Sequence, residues 1–249
     1  MKTLSKLLLL SVIILAVINT HSTVQAQLFD VLKNKSKELF KDNAKVNGFT
    51  EQEAVDALKE ALTNGITKGT AIVSKQDGYF SNPIIKIPFP KDAENVEQTL
   101  RKIGMGKQVD DAVLSLNRAA EDAAKSALDI FIDAIKQMSF ADAYSIVRGD
   151  KNAGTVFLRK ATSISLTNKF KPIIKQSLDK VEATKYWTTV MTTYNQVPFV
   201  KKVNPDLTAY VTERALDGLF TMIEQEEASI RKDPMKQASS LLKKVFSGC

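Results

Sequence analysis

Residues 108–137 read QVDDAVLSLNRAAEDAAKSALDIFIDAIKQ, and this stretch decides the fold class. Its apolar side chains recur at helical spacing and fall in one broad arc when residues are placed about 100° apart. Alanine dominates the arc, which predicts one long helix packed closely against its neighbours. The arc consists of Val113, Leu116, Ala120, Ala123, Ala124, Ala127, Phe131, Ala134 and Ile135.

Helical spacing continues after this stretch. Residues 154–170 form a further predicted helix, in which Phe157, Ile164 and Phe170 are the expected apolar anchors. Pro172 follows them, and proline removes a backbone donor and collides with the preceding turn. We therefore expect Pro172 to break or kink this helix.

The apolar pattern is broadest near the end of the chain. Residues 205–232 carry apolar side chains over more than half of a helix circumference, as expected of a central helix. Residues 235–246 form a last, basic amphipathic helix. Together these patterns predict an all-α fold, a single multi-helix bundle of about nine helices that occupies residues 49–248.

Residues 79–90 are the exception to the helical pattern. Proline fixes its own φ angle and pushes the residue before it towards extended geometry, so we expect an ordered, extended crossover. The segment is too apolar to lie free in water, and its alternation predicts an inward and an outward face. Two hypotheses remain open, a strap that only closes the core and a recognition surface. The inward set is Ile85, Ile87 and Phe89, the outward set is Ile84, Lys86 and Pro88, and the prolines are Pro83, Pro88 and Pro90.

Residues 1–26 have the three parts of a cleavable secretory signal peptide. Lys2 and Lys6 give a positive start, and residues 7–19 form an apolar core. A membrane-spanning helix needs about 20 apolar residues, so this core is short for a retained anchor. Residues 24–26 place small side chains at the positions that a signal peptidase reads.

Removal of this leader changes the inventory of chemical groups. Residues 27–48 then form an N-terminal amphipathic segment and linker, and the net charge falls to 33 − 28 = +5. The only histidine, His21, leaves with the leader, which excludes histidine-based catalysis and histidine-ligated metal from the exported chain. The single Cys249 cannot form a disulfide within the chain. We predict no metal and no cofactor, and mixed charges along the helices argue against nucleic acid as a partner.

Several polar residues occupy positions of interest on the predicted helices. Asp129 and Asp133 are spaced like paired catalytic carboxylates, but they share a face with Arg118, and we expect that face to be solvated. Asn117 and Glu121 lie at the edge of the buried arc, where they would either line a cleft or form a hydrogen bond between helices.

The end of the 205–232 helix poses a similar question. Glu226 falls inside its apolar arc, and a buried carboxylate requires a raised pKa or a basic partner. The neighbouring Glu224, Gln225 and Glu227 favour a helix that has left the core by that point.

Aromatic residues cluster in two places, in the crossover and before Pro198. Burial in the core is one explanation, because aromatic side chains dominate burial energetics. A groove for a peptide, a lipid or a glycan is the other. The candidate binding residues are Tyr79, Phe80, Asn82, Ile84, Lys86, Phe89, Asn117, Glu121, Tyr186 and Trp187, and no catalytic residue is proposed.

The order of several short motifs resembles the bacterial domain of unknown function 4197 family. The resemblance extends in order from about residue 50 to residue 246. It implies an exported helical domain of bacterial envelopes, and it implies no activity and no catalytic residues. The motifs occupy residues 77–83, 87–90, 116–121, 133–138, 169–173, 183–187, 203–207 and 241–246.

The function that we expect is a non-enzymatic binding or interaction module in the periplasm. Its partner would be an envelope protein, a peptide or an apolar ligand, and no membrane-spanning segment is expected after the leader is removed. Two alternatives stay open: a glycan hydrolase that uses carboxylates, with Glu121 as the first acid to test, and a carrier of lipid or another apolar ligand.

The leader generates a direct prediction. Protein purified from its host should begin at Gln27, because the small residues Val24 and Ala26 occupy the third and the first position before the expected cleavage. Intact mass spectrometry measures this. A mass that includes residues 1–26 would contradict the predicted export.

Overall fold

The computed structural model describes residues 51–196, 198–199 and 201–233. The side chains of residues 51, 182–186 and 190 lie outside this description. So do the leader, the segment 27–48 and the helix predicted at 235–246. The described residues contain helices and no strand, which confirms the predicted all-α fold class.

Eight α-helices and one 3₁₀ turn, Lys91–Ala93, make up the secondary structure of the described residues. The helices are α1 (Glu51–Ser74), α2 (Glu94–Lys102), α3 (Gly106–Ala124), α4 (Ala127–Lys136), α5 (Phe140–Arg148), α6 (Ala153–Asp179), α7 (Glu182–Tyr194) and α8 (Leu207–Lys232).

Helix α8 is central, as its broad apolar surface predicts. It packs against α1 and α6, while α3 packs against α6. Phe131 of α4 meets Phe220 of α8 edge to face, with ring centroids 5.7 Å apart. Ala120, Ala123 and Ala124 of α3 are fully buried, so the alanine-rich arc does face other helices.

Helix α1 approaches α8 closely through glycine. A Cβ added to Gly69 would lie 3.4 Å from Cγ1 of Ile223, and one added to Gly65 would lie 3.2 Å from Cδ1 of Ile230. These contacts leave little room for larger side chains between the two helices.

The prediction of one continuous helix over residues 108–137 was wrong. The chain ends α3 at Ala124 and begins α4 at Ala127. Ser126 explains the break, because its N–H donates to the carbonyl of Ala123 at 3.0 Å and its hydroxyl donates to the same oxygen at 2.7 Å. A serine side chain that binds nearby backbone competes with the helical hydrogen bond.

One expectation for α6 was wrong and another was wrong in part. Ile164 is no anchor, since it is 79% exposed. The helix continues through Pro172 to Asp179, so the expected break does not occur. Proline deprives the carbonyl of Asn168 of its helical partner, but Asn168 is exposed, so water can bind this carbonyl instead. The buried residues of α6 recur every four positions, and Ile164 falls between them: Leu158, Thr162, Leu166, Phe170, Ile174 and Leu178.

The end of α8 remains in the core, contrary to our expectation that Glu227 is solvated. Glu227 is buried, and its carboxylate accepts the backbone N–H groups of Gly154 at 2.9 Å and Thr155 at 2.7 Å. Arg231 contributes an ion pair at 2.8 Å. The carboxylate therefore caps the positive N-terminal end of α6, and Arg231 balances its charge. Glu226 is only half-buried.

The crossover, residues 79–90, is non-helical as predicted, but its first half is not extended. Residues 79–81 and 83–85 lie in turns, because the carbonyl of Asn82 accepts the N–H groups of Ile85 and Lys86. Ile85, Ile87 and Phe89 are buried, whereas Ile84 is 64% exposed and Lys86 is exposed. Its alternation is therefore confirmed.

Tyr79 begins the crossover directly above α8. A Cβ added to Gly218 would lie 2.6 Å from Cε1 of Tyr79 and 3.1 Å from Cβ of Ile85. Only glycine leaves room for the crossover at this point of α8.

Among the described helices, none combines the length and the apolar character that a membrane span requires.

The glycines of α1 and α8 should respond differently to alanine. Gly218→Ala should lower the free energy of unfolding by about 1–2 kcal/mol, because overpacking against the buried Tyr79 ring outweighs the gain in helix propensity. Gly69→Ala is the matched control, and it should be neutral or stabilising by up to about 1 kcal/mol. Urea denaturation of both variants measures the difference. Equal stability of the two would contradict the tight contact at Gly218.

Candidate functional site

Asn117 of α3 holds the crossover at Ile87. Its Oδ1 accepts the N–H of Ile87 at 2.8 Å, and its Nδ2 donates to the carbonyl of Ile87 at 2.8 Å and to that of Val113 at 2.8 Å. Asn117 is completely buried. The amide therefore replaces the two hydrogen bonds that Ile87 would make in regular structure.

Glu121, one helical turn further along α3, holds the start of the crossover. Its Oε1 accepts the N–H groups of Tyr79 at 3.1 Å and Phe80 at 3.2 Å. Its Oε2 accepts from Arg118 at 2.7 Å, and Arg118 also pairs with Asp77 at 2.7 Å. Asn117 and Glu121 thus bind the crossover, and neither of the two predicted arrangements describes them.

Arg118 corrects a second prediction, because it does not belong to a purely solvated face. It is only partly exposed and joins a buried carboxylate to Asp77. Asp77 has a φ of 66°, which is the left-handed region. Few non-glycine residues adopt this region, but aspartate is among those that tolerate it best.

Tyr79 is fully buried, and its hydroxyl donates to the carbonyl of Ala215 in α8 at 2.6 Å. Burial raises the pKa of this hydroxyl well above its usual range, and the negative charge of Glu121 acts in the same direction. Tyr79 therefore stays protonated and serves as a hydrogen-bond donor between the crossover and α8.

The other candidate residues of the crossover lie nearer its outer face. Lys86 places its Nζ 4.2 Å from the centroid of the Phe80 ring, a cation–π contact. Asn82 accepts the N–H of Ile84 at 3.0 Å, and its Nδ2 lies 3.6 Å from Sδ of Met222. These contacts stabilise the turn in the middle of the crossover.

An apolar groove opens where the crossover ends. It has a volume of about 590 Å³ and lies between the end of the crossover, α2, α3, α7 and the start of α8. Small-molecule sites typically enclose about 300–1,000 Å³ and are mostly apolar with a few polar groups. The groove is lined by Phe89, Pro90, Leu100, Met105, Gln108, Val109, Asp111, Ala112, Leu116, Val181, Trp187, Met191 and Leu207.

Trp187 and Phe89 form one wall of the groove. Their rings meet edge to face, with centroids 5.1 Å apart. Trp187 is only 6% exposed, and its Nε1 is buried without a hydrogen-bond partner. An unpaired buried donor is uncommon and costs about 1–3 kcal/mol. The side chain of Tyr186, a further predicted site residue, lies outside the described residues.

The structure brings only Phe89 and Trp187 of the predicted set into the groove. Sequence reasoning missed the remaining lining residues, because they come from five separate segments. One local signal did exist: Met105 is an apolar side chain placed directly after Gly104, which has a φ of 86° and ends α2 in a turn.

Within residues 51–196, 198–199 and 201–233, no group of three or more Cys, Asp or Glu side chains is placed to hold a metal ion.

Glu121 should be required for stability in its charged form. In Glu121→Gln the amide NH₂ must face a donor, either the backbone N–H groups of residues 79–80 or the guanidinium of Arg118, so one interaction is lost. The free energy of unfolding should fall by about 1.5–3 kcal/mol. Glu213→Gln, an exposed change on α8, should alter it by less than about 0.5 kcal/mol. A Glu121→Gln protein as stable as the wild type would contradict this role.

Comparison with known proteins places the chain in a family. The family model described as "Protein of unknown function (DUF4197)" matches residues 48–247. No curated protein and no solved structure matches the chain. The match covers all the described helices and the crossover, and it agrees with the resemblance seen in the motifs. The chain belongs to the DUF4197 family of proteins of unknown function.

Proposed function

We propose that the domain binds an amphipathic ligand with a single long apolar chain, such as a fatty acid, in the groove beside Trp187. The observation that carries this proposal is the groove itself, about 590 Å³ in volume and lined largely by apolar side chains. Ligand sites are typically clefts of about 300–1,000 Å³ with mostly apolar walls and a few polar groups. The size and the lining of this open groove match that description.

The lining suits a flexible apolar chain. Met105 and Met191 offer adaptable, polarisable side chains, which fit irregular apolar ligands. Gln108 provides a neutral polar group at the same groove, where its amide would orient the polar end of the ligand. Asp111 also lines the groove and would repel a carboxylate, but Lys107 pairs with it at 2.6 Å and balances its charge.

The unpaired Nε1 of Trp187 adds a second reason. A carbonyl or carboxylate oxygen of the ligand would satisfy this donor and remove the cost of leaving it unpaired. Because Nε1 is closed off in the present arrangement, the groove wall must move for this contact to form. We therefore propose that ligand binding changes the environment of the indole.

The glycan-hydrolase alternative has less support. Both carboxylate oxygens of Glu121 already accept hydrogen bonds from within the domain. A general acid must reach the bond that it protonates, and this carboxylate is buried beneath the crossover. A catalytic role would have to come from other carboxylates.

We further propose that the domain acts in the bacterial envelope, after export directed by residues 1–26. The support is the order of charged, apolar and small residues in that leader. The outward side of the crossover, with the exposed Ile84 beside Lys86, remains a proposed contact for an envelope protein.

Intrinsic fluorescence provides a selective test, because Trp187 is the only tryptophan of the chain. Titration with a single-chain fatty acid, kept below the concentration at which it forms micelles, should give a saturable change in emission. A brominated fatty acid should quench the same emission on binding. Ala112→Phe should raise Kd about tenfold or more, since a ring that displaces only about two methylene groups removes about 0.8 kcal/mol for each.

Ala228→Phe is the matched control, because Ala228 is an exposed alanine of α8 that does not line the groove. It should bind the fatty acid with the affinity of the wild type. Absence of saturable quenching in the wild type would overturn the proposal, and so would equal affinities of the two variants.

A further inference from the structure

Four exposed apolar side chains lie in the turns that surround the groove. Ile103 and Met105 occupy the turn between α2 and α3, Val181 lies between α6 and α7, and Phe199 lies between α7 and α8. We call these four residues the rim. Met105 and Val181 line the groove directly.

Side-chain contacts hold the segment around Phe199 near the groove. Asn195 binds the backbone of Val203 in both directions, at 2.7 and 2.8 Å, and Lys201 pairs with Asp92 at 2.5 Å. Asp92 follows Pro90 closely in the chain, and Pro90 lines the groove. These contacts place Lys201 and Val203, which closely follow Phe199 in the chain, beside the end of the groove.

Phe199 itself is held outward at a cost. Its side chain is fully exposed, and its φ of 64° lies in the left-handed region. A bulky residue rarely adopts this conformation, which costs of order 1–3 kcal/mol and persists where the surroundings impose it. An exposed phenylalanine on a strained turn gains no burial from the described part of the domain, and burial against a surface outside it would stabilise this side chain.

Lysine accompanies the rim. Lys102 precedes Ile103, Lys180 precedes Val181, and Lys202 follows Phe199 closely; all three lysines are exposed, whereas Lys201 is paired with Asp92. Apolar side chains flanked by lysine are typical of surfaces that enter a membrane interface, where the lysines meet anionic headgroups. Lysine is depleted from protein–protein interfaces, which makes a protein the weaker candidate.

We infer that the rim docks the groove onto an anionic phospholipid bilayer, so that the ligand passes between bilayer and groove without crossing water. The inference rests on the proposed function for its purpose, but docking is measurable without any ligand. Phe199 would enter the interface, and the lysines would lie at the headgroups.

The test is flotation with vesicles, using protein from the host envelope whose N-terminus has been verified. Vesicles that mix phosphatidylcholine and phosphatidylglycerol in a ratio of about two to one should bind the protein, whereas pure phosphatidylcholine should bind it weakly. Binding to the anionic vesicles should fall as salt increases. Phe199→Ser should weaken it about tenfold or more, because burial of one phenylalanine is lost.

Ile164→Ser is the matched control for Phe199→Ser. Ile164 is exposed to a similar degree on α6, outside the rim, and its replacement should leave vesicle binding unchanged. For charge, Lys180→Gln/Lys202→Gln should weaken binding about 10–30-fold, since each lysine near such a surface contributes about 1 kcal/mol. Lys160→Gln/Lys169→Gln removes the same charge from exposed positions of α6 and should have a much smaller effect.

The outcomes separate this inference from the proposed function. The inference would be overturned if Phe199→Ser bound vesicles as strongly as the wild type. Equal binding to the two lipid compositions would also overturn it. The inference would also be overturned if the wild type bound no vesicles and Phe199→Ser lost self-association. That result would assign the rim to a second copy of the chain. Fatty-acid binding by Phe199→Ser should equal that of the wild type, because Phe199 does not line the groove. If the wild type bound vesicles but no fatty acid, the result would contradict the proposed ligand site in the groove and leave the docking inference intact.

Discussion

The structure depends on two buried side chains of α3 that supply hydrogen bonds to a segment unable to form a helix. The prolines of the crossover prevent regular structure, so its backbone donors need other partners. Asn117 forms hydrogen bonds with the N–H and the carbonyl of Ile87, and Glu121 accepts the N–H groups of Tyr79 and Phe80. Once these atoms are fixed, Tyr79 reaches α8 and Phe89 meets Trp187. The apolar wall of the groove is thus a consequence of polar contacts elsewhere.

Sequence reasoning succeeded where the physics is local. Helical spacing, the buried alanines of α3 and the alternation of Ile84 to Phe89 follow from the periodicities of helical and extended backbone. It failed where distant segments decide. Glu227 looked like one more solvated carboxylate until α6 presented the N–H groups of Gly154 and Thr155 to it. The groove could not be predicted either, because its walls come from segments as far apart in the chain as Phe89 and Leu207.

The two buried carboxylates solve the same problem in different places. Glu121 and Glu227 each accept two backbone N–H groups, and each has an arginine on its own helix, within about one turn. A buried charge is tolerable when donors and an opposite charge surround it. Both carboxylates join segments that are remote in sequence.

The two anchors on α3 also set how much chain the crossover can gain or lose. Asn117 and Glu121 are about 6 Å apart along the helix, yet the chain from Phe80 to Ile87 would extend over about 23 Å. The turn at Asn82 takes up the difference, with the N–H of Lys86 donating to the carbonyl of Asn82 at 2.8 Å. An insertion at the exposed tip of that turn, between Pro83 and Ile84, would only enlarge a surface loop. One extra residue between Ile87 and Phe89 would instead invert the facing of every side chain after it and turn Phe89 away from Trp187. Changes in chain length are therefore tolerated in the turn before Ile87 and are not tolerated between Ile87 and Phe89.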